Sequence, residues 1–264
     1  MRIATWNVNS VGARLPRLVE WLSLARPDVL AVQETKCAAD AFPYDAVREV
    51  GYDVEVHGDG RWNGVGIITR EGVDRSGVRR GFDDEARFPD EETPPEARAM
   101  AATVNGVRVW SVYVPNGREV DSEHYAYKLR WLSAFTKTVE AELAEHDRLV
   151  VMGDFNIAPT DADVWDPAVF VTSTHVTEPE RSAYRGLVGL GLVDLEARAL
   201  KGDHPFTYWD YRAGAFHKGM GMRIDLVLAT PAVASAVTDA YVDREARKGK
   251  GPSDHAPVVV DLSL

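Results

Sequence analysis

The strongest constraint on the fold lies at Leu149-Val150-Val151-Met152-Gly153-Asp154-Phe155-Asn156-Ile157-Ala158-Pro159, where an apolar run stops at a glycine and two polar side chains. Consecutive apolar residues of this kind read as a buried strand. Alternation along extended backbone sends Asp154 and Asn156 to one side and Phe155 to the other. A carboxylate and a carboxamide are then paired at a strand's end. Gly, Asp, Asn and Pro also make ordinary turns, so recurrence elsewhere has to decide the matter. It does recur. Val29-Leu30-Ala31-Val32 runs into Gln33-Glu34-Thr35-Lys36, and Arg2 to Val8 ends among Asn7 and Asn9. Val107 to Val114 carries Tyr113 ahead of Pro115-Asn116-Gly117-Arg118. Asp225 lies inside Arg223-Ile224-Asp225-Leu226-Val227-Leu228, and Asp254-His255 immediately precedes Ala256-Pro257-Val258-Val259-Val260.

Helical patterns lie between these strands. From Ala13 to Arg26, Leu15, Leu18, Val19 and Leu22 follow the 3.6 period, with Pro16 in a first turn and Pro27 as the stop. Tyr125, Leu129, Leu132, Phe135, Val139 and Leu143 give a long amphipathic helix. Thr177-Glu178-Pro179-Glu180 has the capping-box pattern and leads into Tyr184, Leu187, Val188 and Leu190, with Gly191 as the stop. Tyr52 to Arg70 reads as two strands around a glycine-rich turn, and Ala101 to Asn116 as a hairpin turning at Asn105-Gly106. The acidic, proline-containing stretch after Arg70 reads as a surface loop. Strands and helices mixed with hairpins predict an α/β or α+β layered sandwich with mixed sheets, not an all-parallel barrel.

With 264 residues the chain is expected to form one large domain, 1–264. A single cysteine, Cys37, allows no intrachain disulfide, and no apolar run approaches the ~20 residues of a membrane span. Both features predict a cytoplasmic protein away from membranes. A formal net charge of −11 argues against coating nucleic acid through bulk charge. Much of the acid is local, because seven acidic residues fall between Asp83 and Glu96. Three basic clusters stand apart: Arg75, Arg79 and Arg80; Lys218 with Arg223; and Arg244, Arg247, Lys248 and Lys250. Each is either a seat for an anionic ligand or a solvated face.

Asn7, Glu34, Tyr113, Asp154, Asn156, Asp225, Asp254 and His255 all lie at or near strand ends on otherwise apolar segments. A buried Asp225 needs a partner, and His255 is a reasonable one. Hard oxygen donors such as Glu34 suit magnesium, and the absence of a Cys/His cluster argues against zinc. The chemistry this suggests is metal-assisted hydrolysis.

In order and spacing, Asn7, Gln33-Glu34-Thr35-Lys36, Tyr113-Val114-Pro115-Asn116, Gly153-Asp154-Phe155-Asn156, Arg223-Ile224-Asp225 and Ser253-Asp254-His255 resemble the exonuclease III family of AP endonucleases. The resemblance spans essentially the whole chain. It implies the family's deoxyribonuclease I-like fold, a four-layered α/β sandwich of two mixed sheets face to face with helices outside. It also implies hydrolysis of duplex DNA 5′ to abasic sites, 3′-to-5′ exonuclease action and cleaning of blocked 3′ ends, with Mg2+ as cofactor, Mn2+ as a substitute and a monomeric enzyme. Carried over, Glu34 would be the main metal ligand, with Asn7 and Asp254 close by. Asp154 would position or deprotonate water, and Asn156 would orient the phosphate. His255, held by Asp225, and Tyr113 would donate to phosphate oxygens. Tyr208, Met222 and Ile224, with Trp209 beside them in the aromatic loop, would form the slot for the flipped-out sugar. Lys36, Arg98, Asn116 and Arg118 would complete the DNA contacts. Met222 stands where human-type enzymes have tryptophan, and Asn9 where they have aspartate. Within the wider superfamily, phosphatases acting on inositol phosphates or lipids are the rival reading. A non-catalytic DNA-binding protein that kept the fold is another.

Overall fold

The computed structural model describes residues 1–264. Its strands are β1 Arg2–Asn7, β2 Val29–Gln33, β3 Tyr52–His57, β4 Val65–Arg70, β5 Arg75–Arg80, β6 Ala99–Val104, β7 Val107–Tyr113, β8 Leu149–Asp154, β9 Val193–Asp194, β10 Arg198–Ala199, β11 Asp225–Ala229, β12 Val237–Val242 and β13 Val258–Leu262. They form a seven-stranded sheet, β10-β12-β13-β1-β2-β4-β3, and a six-stranded sheet, β5-β6-β7-β8-β11-β9. Both sheets are mixed. β1 pairs parallel with β2 and antiparallel with β13, and β8 pairs parallel with β7 and antiparallel with β11.

Alternation of side chains explains the layering. Ile3, Val29, Ala31, Val65 and Ile67 of the first sheet meet Met100, Ala102, Val107, Val109, Val150, Met152 and Val227 of the second in a shared core. The intervening residues face outward. On one side Ala4, Trp6, Leu30, Val32 and Ile68 are covered by Leu18 and Leu22 of α1 (Val11–Ala25) and Val47 of α2 (Tyr44–Arg48). On the other, Trp110, Val112, Leu149 and Val151 are covered by Trp131, Leu132 and Phe135 of α3 (Glu123–Glu145). Leu187 of a further helix, Glu178–Gly189, packs there too. The order is helix, sheet, sheet, helix. Because both faces of each sheet are covered, the inner strands β2, β8 and β11 carry unbroken apolar runs. A polar bridge crosses the inner layer beneath the site: Gln33 Nε2 donates to Thr5 Oγ1 at 3.0 Å and to Ser111 Oγ of the opposite sheet at 3.1 Å.

Several expectations are corrected. The first helix begins at Val11, not Ala13, because Ser10 caps it by accepting from the Ala13 N–H. Pro16 is therefore interior, beyond the first turn. The segment after Arg70 is not all loop, since Arg75–Arg80 forms an edge strand with a register shift between Ser76 and Arg79. Its arginines are not an anion seat. Arg75 bonds Asp53 and Glu55, Arg80 bonds Glu55, and Arg79 pairs with Asp83 and Glu142. Arg223 is likewise buried between Asp163 and Asp194, which separates it from Lys218. In the third cluster Arg247 donates to the Trp209 carbonyl, Arg244 to the Phe216 carbonyl, and Lys248 pairs with Glu245. No helix is long and apolar enough to cross a membrane.

Gly153 fixes how closely β7 and β8 approach at the end where Asp154 emerges. At its φ of 153° a Cβ would overlap the Val112 carbonyl oxygen, a backbone atom that cannot swing away. Gly153→Ala is expected to destabilise the protein by about 3 kcal/mol, as overpacking against fixed backbone does. A urea midpoint equal to that of the parent chain would contradict this reading of the strand contact.

Candidate active site

Strand register assembles the site. In the six-stranded sheet Tyr113 is opposite Asp154 and Asp154 is opposite Asp225, so three polar residues form a row across β7, β8 and β11. In the other sheet Asn7 is opposite Gln33, and Glu34 follows at once. Glu34 adopts a φ of 54°, left-handed for a residue with a side chain. The two sheets face each other, so the two sets of strand ends meet.

Asn7 joins them. Its Nδ2 donates to Glu34 Oε1 and to Asp154 Oδ2, both at 2.9 Å, while its Oδ1 accepts from the Asn9 N–H. His255 Nδ1 lies 2.8 Å from Asp225 Oδ2, and its Nε2 lies 3.8 Å from Asp154 Oδ2. Ser253 Oγ donates to the Asn7 carbonyl and Trp6 Nε1 to the His255 carbonyl, which anchors the 253–255 loop on β1. Thr207 Oγ1 accepts from the Ile224 and Asp225 N–H groups, tying the aromatic loop to β11.

Burial and charge set the protonation states. Burial drives the Asp154 carboxyl up to about 7, with Asp225 and Glu34 adding to the rise and His255 opposing it. For His255 burial works against the charged ring, but the Asp225 carboxylate and its hydrogen bond outweigh burial and lift the pKa from 6.5 to about 10. Glu34 is also desolvated, yet Lys36, with hydrogen bonds from Lys36 and Asn7, holds it below the ordinary carboxylate range. Burial pushes the Tyr113 phenol well above 10, with Glu34 adding to the shift, so it stays a neutral donor. A carboxyl able to take up a proton near neutrality beside an imidazole that favours its charge suits a base and an acid.

Glu34, Asp154 and His255 bring ligand-type atoms within 4.8 Å of one another. Their donor chemistry fits a hard divalent ion, because the carboxylates of Glu34, Asp154, Asp225 and Asp254 outnumber the nearby cations Lys36 and His255. With Asp225 favouring the charged imidazole, His255 is set to donate, and the carboxylate oxygens of Glu34 and Asp154 are the atoms that would hold an ion. Asn7 turns its NH2 toward the carboxylates, so here it orients them. Asp254 stands farther out and connects through Asn9, which bonds Lys36 Nζ, itself paired to Glu34.

The other expected contacts divide. Tyr208 lies with its ring centroid 4.9 Å from that of His255 and packs with Met222, Ile224, Val164 and Ala158 in a small apolar cluster. Trp209 does not join them. Its side chain is buried in the main core edge-on to Phe216, because the alternation that exposes Tyr208 turns its neighbour inward. Arg98 is also turned inward: it pairs with Glu96 and lies 4.8 Å over the Tyr113 ring, supporting that phenol from behind. Asn116 and Arg118 are exposed at the rim of a cavity of about 240 Å³ that the largely buried Arg98 also lines, together with Trp62, Phe88 and His124.

Sequence reading missed Lys128, Thr174, His175 and Glu180. His175 Nε2 sits 3.1 Å from Asn156 Oδ1 and 3.3 Å from Asn116 Nδ2, and burial, helped by Lys128, pushes its pKa down to about 4. Lys128 carried a usable signal, a charged residue in phase with the apolar stripe of Tyr125, Leu132 and Phe135.

The chain and its fold are similar to those of known proteins. A model of the Endonuclease/Exonuclease/phosphatase family matches residues 4–255. Exodeoxyribonuclease III of Haemophilus influenzae is 28% identical over 274 residues, covering 98% of each chain. The 3′ phosphatase NExo from Neisseria, solved with a product DNA hairpin, superposes with a TM-score of 0.92 at 39% identity over 100% of both chains. An AP endonuclease from Archaeoglobus fulgidus superposes with a TM-score of 0.90 at 35% identity, again over 100% of both.

The Asp225 hydrogen bond yields a direct test. A raised pKa keeps the ring charged at every pH below it, so His255 should remain imidazolium through neutrality. Asp225→Asn removes the opposing charge while leaving the burial, and the midpoint should fall by at least about one unit. NMR titration of the metal-free protein checks this. An unchanged midpoint would remove Asp225 as the cause.

Proposed function

The chain belongs to the endonuclease/exonuclease/phosphatase family, in its exodeoxyribonuclease III and AP endonuclease branch, and from that premise we propose how this DNA repair nuclease works. It is a phosphodiester hydrolase acting on DNA. We assign as substrates duplexes with abasic sites or blocked 3′ ends, Mg2+ as the metal with Mn2+ as a substitute, and a monomer of one domain, 1–264, working in the cytoplasm. The observation that carries the reading is the meeting of Glu34, Asp154 and His255 within 4.8 Å, with Asp225 behind the imidazole.

Each residue has a task suited to its protonation state. Asp154, near pKa 7, accepts a proton from water or orients it for in-line attack on phosphorus. As the new P–O bond forms, the bond to the leaving sugar oxygen breaks. Imidazolium His255 and neutral Tyr113 donate to non-bridging phosphate oxygens, where charge accumulates. Asn156, with Asn116 bonded to its Oδ1 at 3.0 Å, orients the phosphate. A divalent ion held by Glu34, with Asp154 beside it, would add charge stabilisation at the phosphate and leaving oxygen. Tyr208, backed by the buried Met222 and Ile224, would offer the apolar surface that takes a sugar without its base and excludes a full nucleotide by size. Since most clustered arginines are paired internally, backbone contact falls to rim cations such as Arg118 and to Arg61, which stacks on exposed Trp62 at 5.3 Å.

Incubation with an abasic-site duplex and Mg2+ should give strand cleavage 5′ to the lesion, abolished by EDTA. Glu34→Gln should lower the rate on the order of 10²-fold or more with the fold intact by circular dichroism. Full turnover in EDTA would refute the metal assignment, and cleavage of inositol phosphates but not DNA would favour the superfamily's phosphatase chemistry.

Arg118→Glu should weaken duplex binding and reduce the slope of log K against log salt by about one or more. Affinity and slope identical to the parent protein would take Arg118 off the DNA path.

A further inference from the structure

A buried ion pair lies behind the site and plays no part in the chemistry described so far. Lys128 of α3 and Glu180, at the N-terminus of the helix Glu178–Gly189, bond to each other with both side chains 0% exposed. Lys128 Nζ also donates to the Asn156 carbonyl at 2.6 Å and lies 3.4 Å from the Asn116 carbonyl. These two carbonyls belong to the two residues whose carboxamides bond each other at 3.0 Å, the pair assigned above to orient the phosphate. We propose that the Lys128–Glu180 pair is a positioning device for DNA hydrolysis, holding the Asn116 and Asn156 loops so that their carboxamides meet the scissile phosphate.

The surroundings fit that role. Asn156 has a φ of 50°, a left-handed conformation that asparagine adopts more readily than most residues, and its polar groups are fixed by neighbours. Its N–H is taken by Asp154 Oδ1, its carbonyl by Lys128, and its Nδ2 by the Val114 carbonyl. The turn carrying Asn116 lies directly on the Lys128 stem. At Gly117, with φ 85°, a Cβ would stand 3.1 Å from Lys128 Cδ and 2.8 Å from Thr174 Oγ1. Glu180 completes the clamp by accepting from the His175 N–H, the Thr177 N–H and the Thr177 and Thr174 hydroxyls. One carboxylate thus fixes the 174–177 segment and, through Lys128, both loops.

Stability alone is a weak reason for such a pair, since well-packed apolar groups in place of a buried ion pair often serve as well. What an apolar pair lacks is an ammonium that bonds two carbonyls at once. Lys128 does not reach the reacting atoms; it acts through Asn156.

The proposal rests on Asn156 contacting the phosphate, and its test separates the two ideas. Single-turnover cleavage of an abasic duplex at saturating enzyme reads the chemical step, and fluorescence anisotropy reads binding. Lys128→Met should lower the rate roughly 10–100-fold, the scale of a lost positioning contact, with Kd nearly unchanged. Asn156→Ala should lower it similarly, and the two changes together should cost no more than the larger alone. Lys128→Met with Glu180→Gln leaves no unpaired buried charge and should show the same loss in a folded protein. Parental activity in that paired variant, or additive losses in Lys128→Met with Asn156→Ala, would overturn the proposal. A parental rate in Asn156→Ala alone would instead remove Asn156 from the reaction, and the device with it.

Discussion

The hydrogen bond between Asp225 and His255, 2.8 Å long, joins the last residues before the chain's final strand to the first residue of β11 in the opposite sheet. Everything else at the site takes its place from that junction. The imidazole turns its second nitrogen toward Asp154, Asn7 ties Asp154 to Glu34, and Lys36 balances Glu34 from the far side. No single element contains the site. It exists because two mixed sheets pack face to face with their polar strand ends on one edge, so the apolar core sets the distances among charged groups.

Concentrating carboxylates in this way is unfavourable, and the consequences are visible. Asp154 reaches about 7 because burial, Asp225 and Glu34 disfavour its charge, whereas His255 reaches about 10 because Asp225, Asp154 and Asp254 favour its own against burial. A divalent cation held by these carboxylates would relieve the first effect, and a negative phosphate would draw on the second. Elsewhere buried charge is matched within the protein: Arg223 by Asp163 and Asp194, Arg108 by Glu142, Lys128 by Glu180. Removing one member of such a pair strands the other, so these pairs hold elements in place even where they add little net stability.

Much of this was legible in the sequence because strand ends betray themselves. An apolar run that stops at Glu34, or at Gly153-Asp154, places its polar residue by period alone, and the capping box Thr177 to Glu180 is found in the structure with both of its reciprocal bonds. Partners distant in sequence were not legible. Arg223 and Asp163 are 60 residues apart, so a cluster read as Lys218 with Arg223 dissolved once the chain folded. Strand β5 escaped notice because it is an edge strand held by arginine ion pairs, without apolar alternation. Trp209 was misplaced for a simpler reason. In an aromatic run composition does not say which ring faces inward, and the β-bridges of Tyr208 to Met222 and His255 decide it. Fold class and family come from repeated local patterns, but assigning a charge to solvent, core or site needs its partner.

Asp225 and His255 are expected to act as one unit across the two sheets. Single-turnover rates on an abasic duplex for His255→Ala, Asp225→Ala and the double variant test it most directly. If the account holds, each single change lowers the rate by on the order of 10²–10⁴ and the double change costs little more. Additive losses from two folded single variants would show that the residues work independently, and the cross-sheet junction would then be a feature of the fold alone.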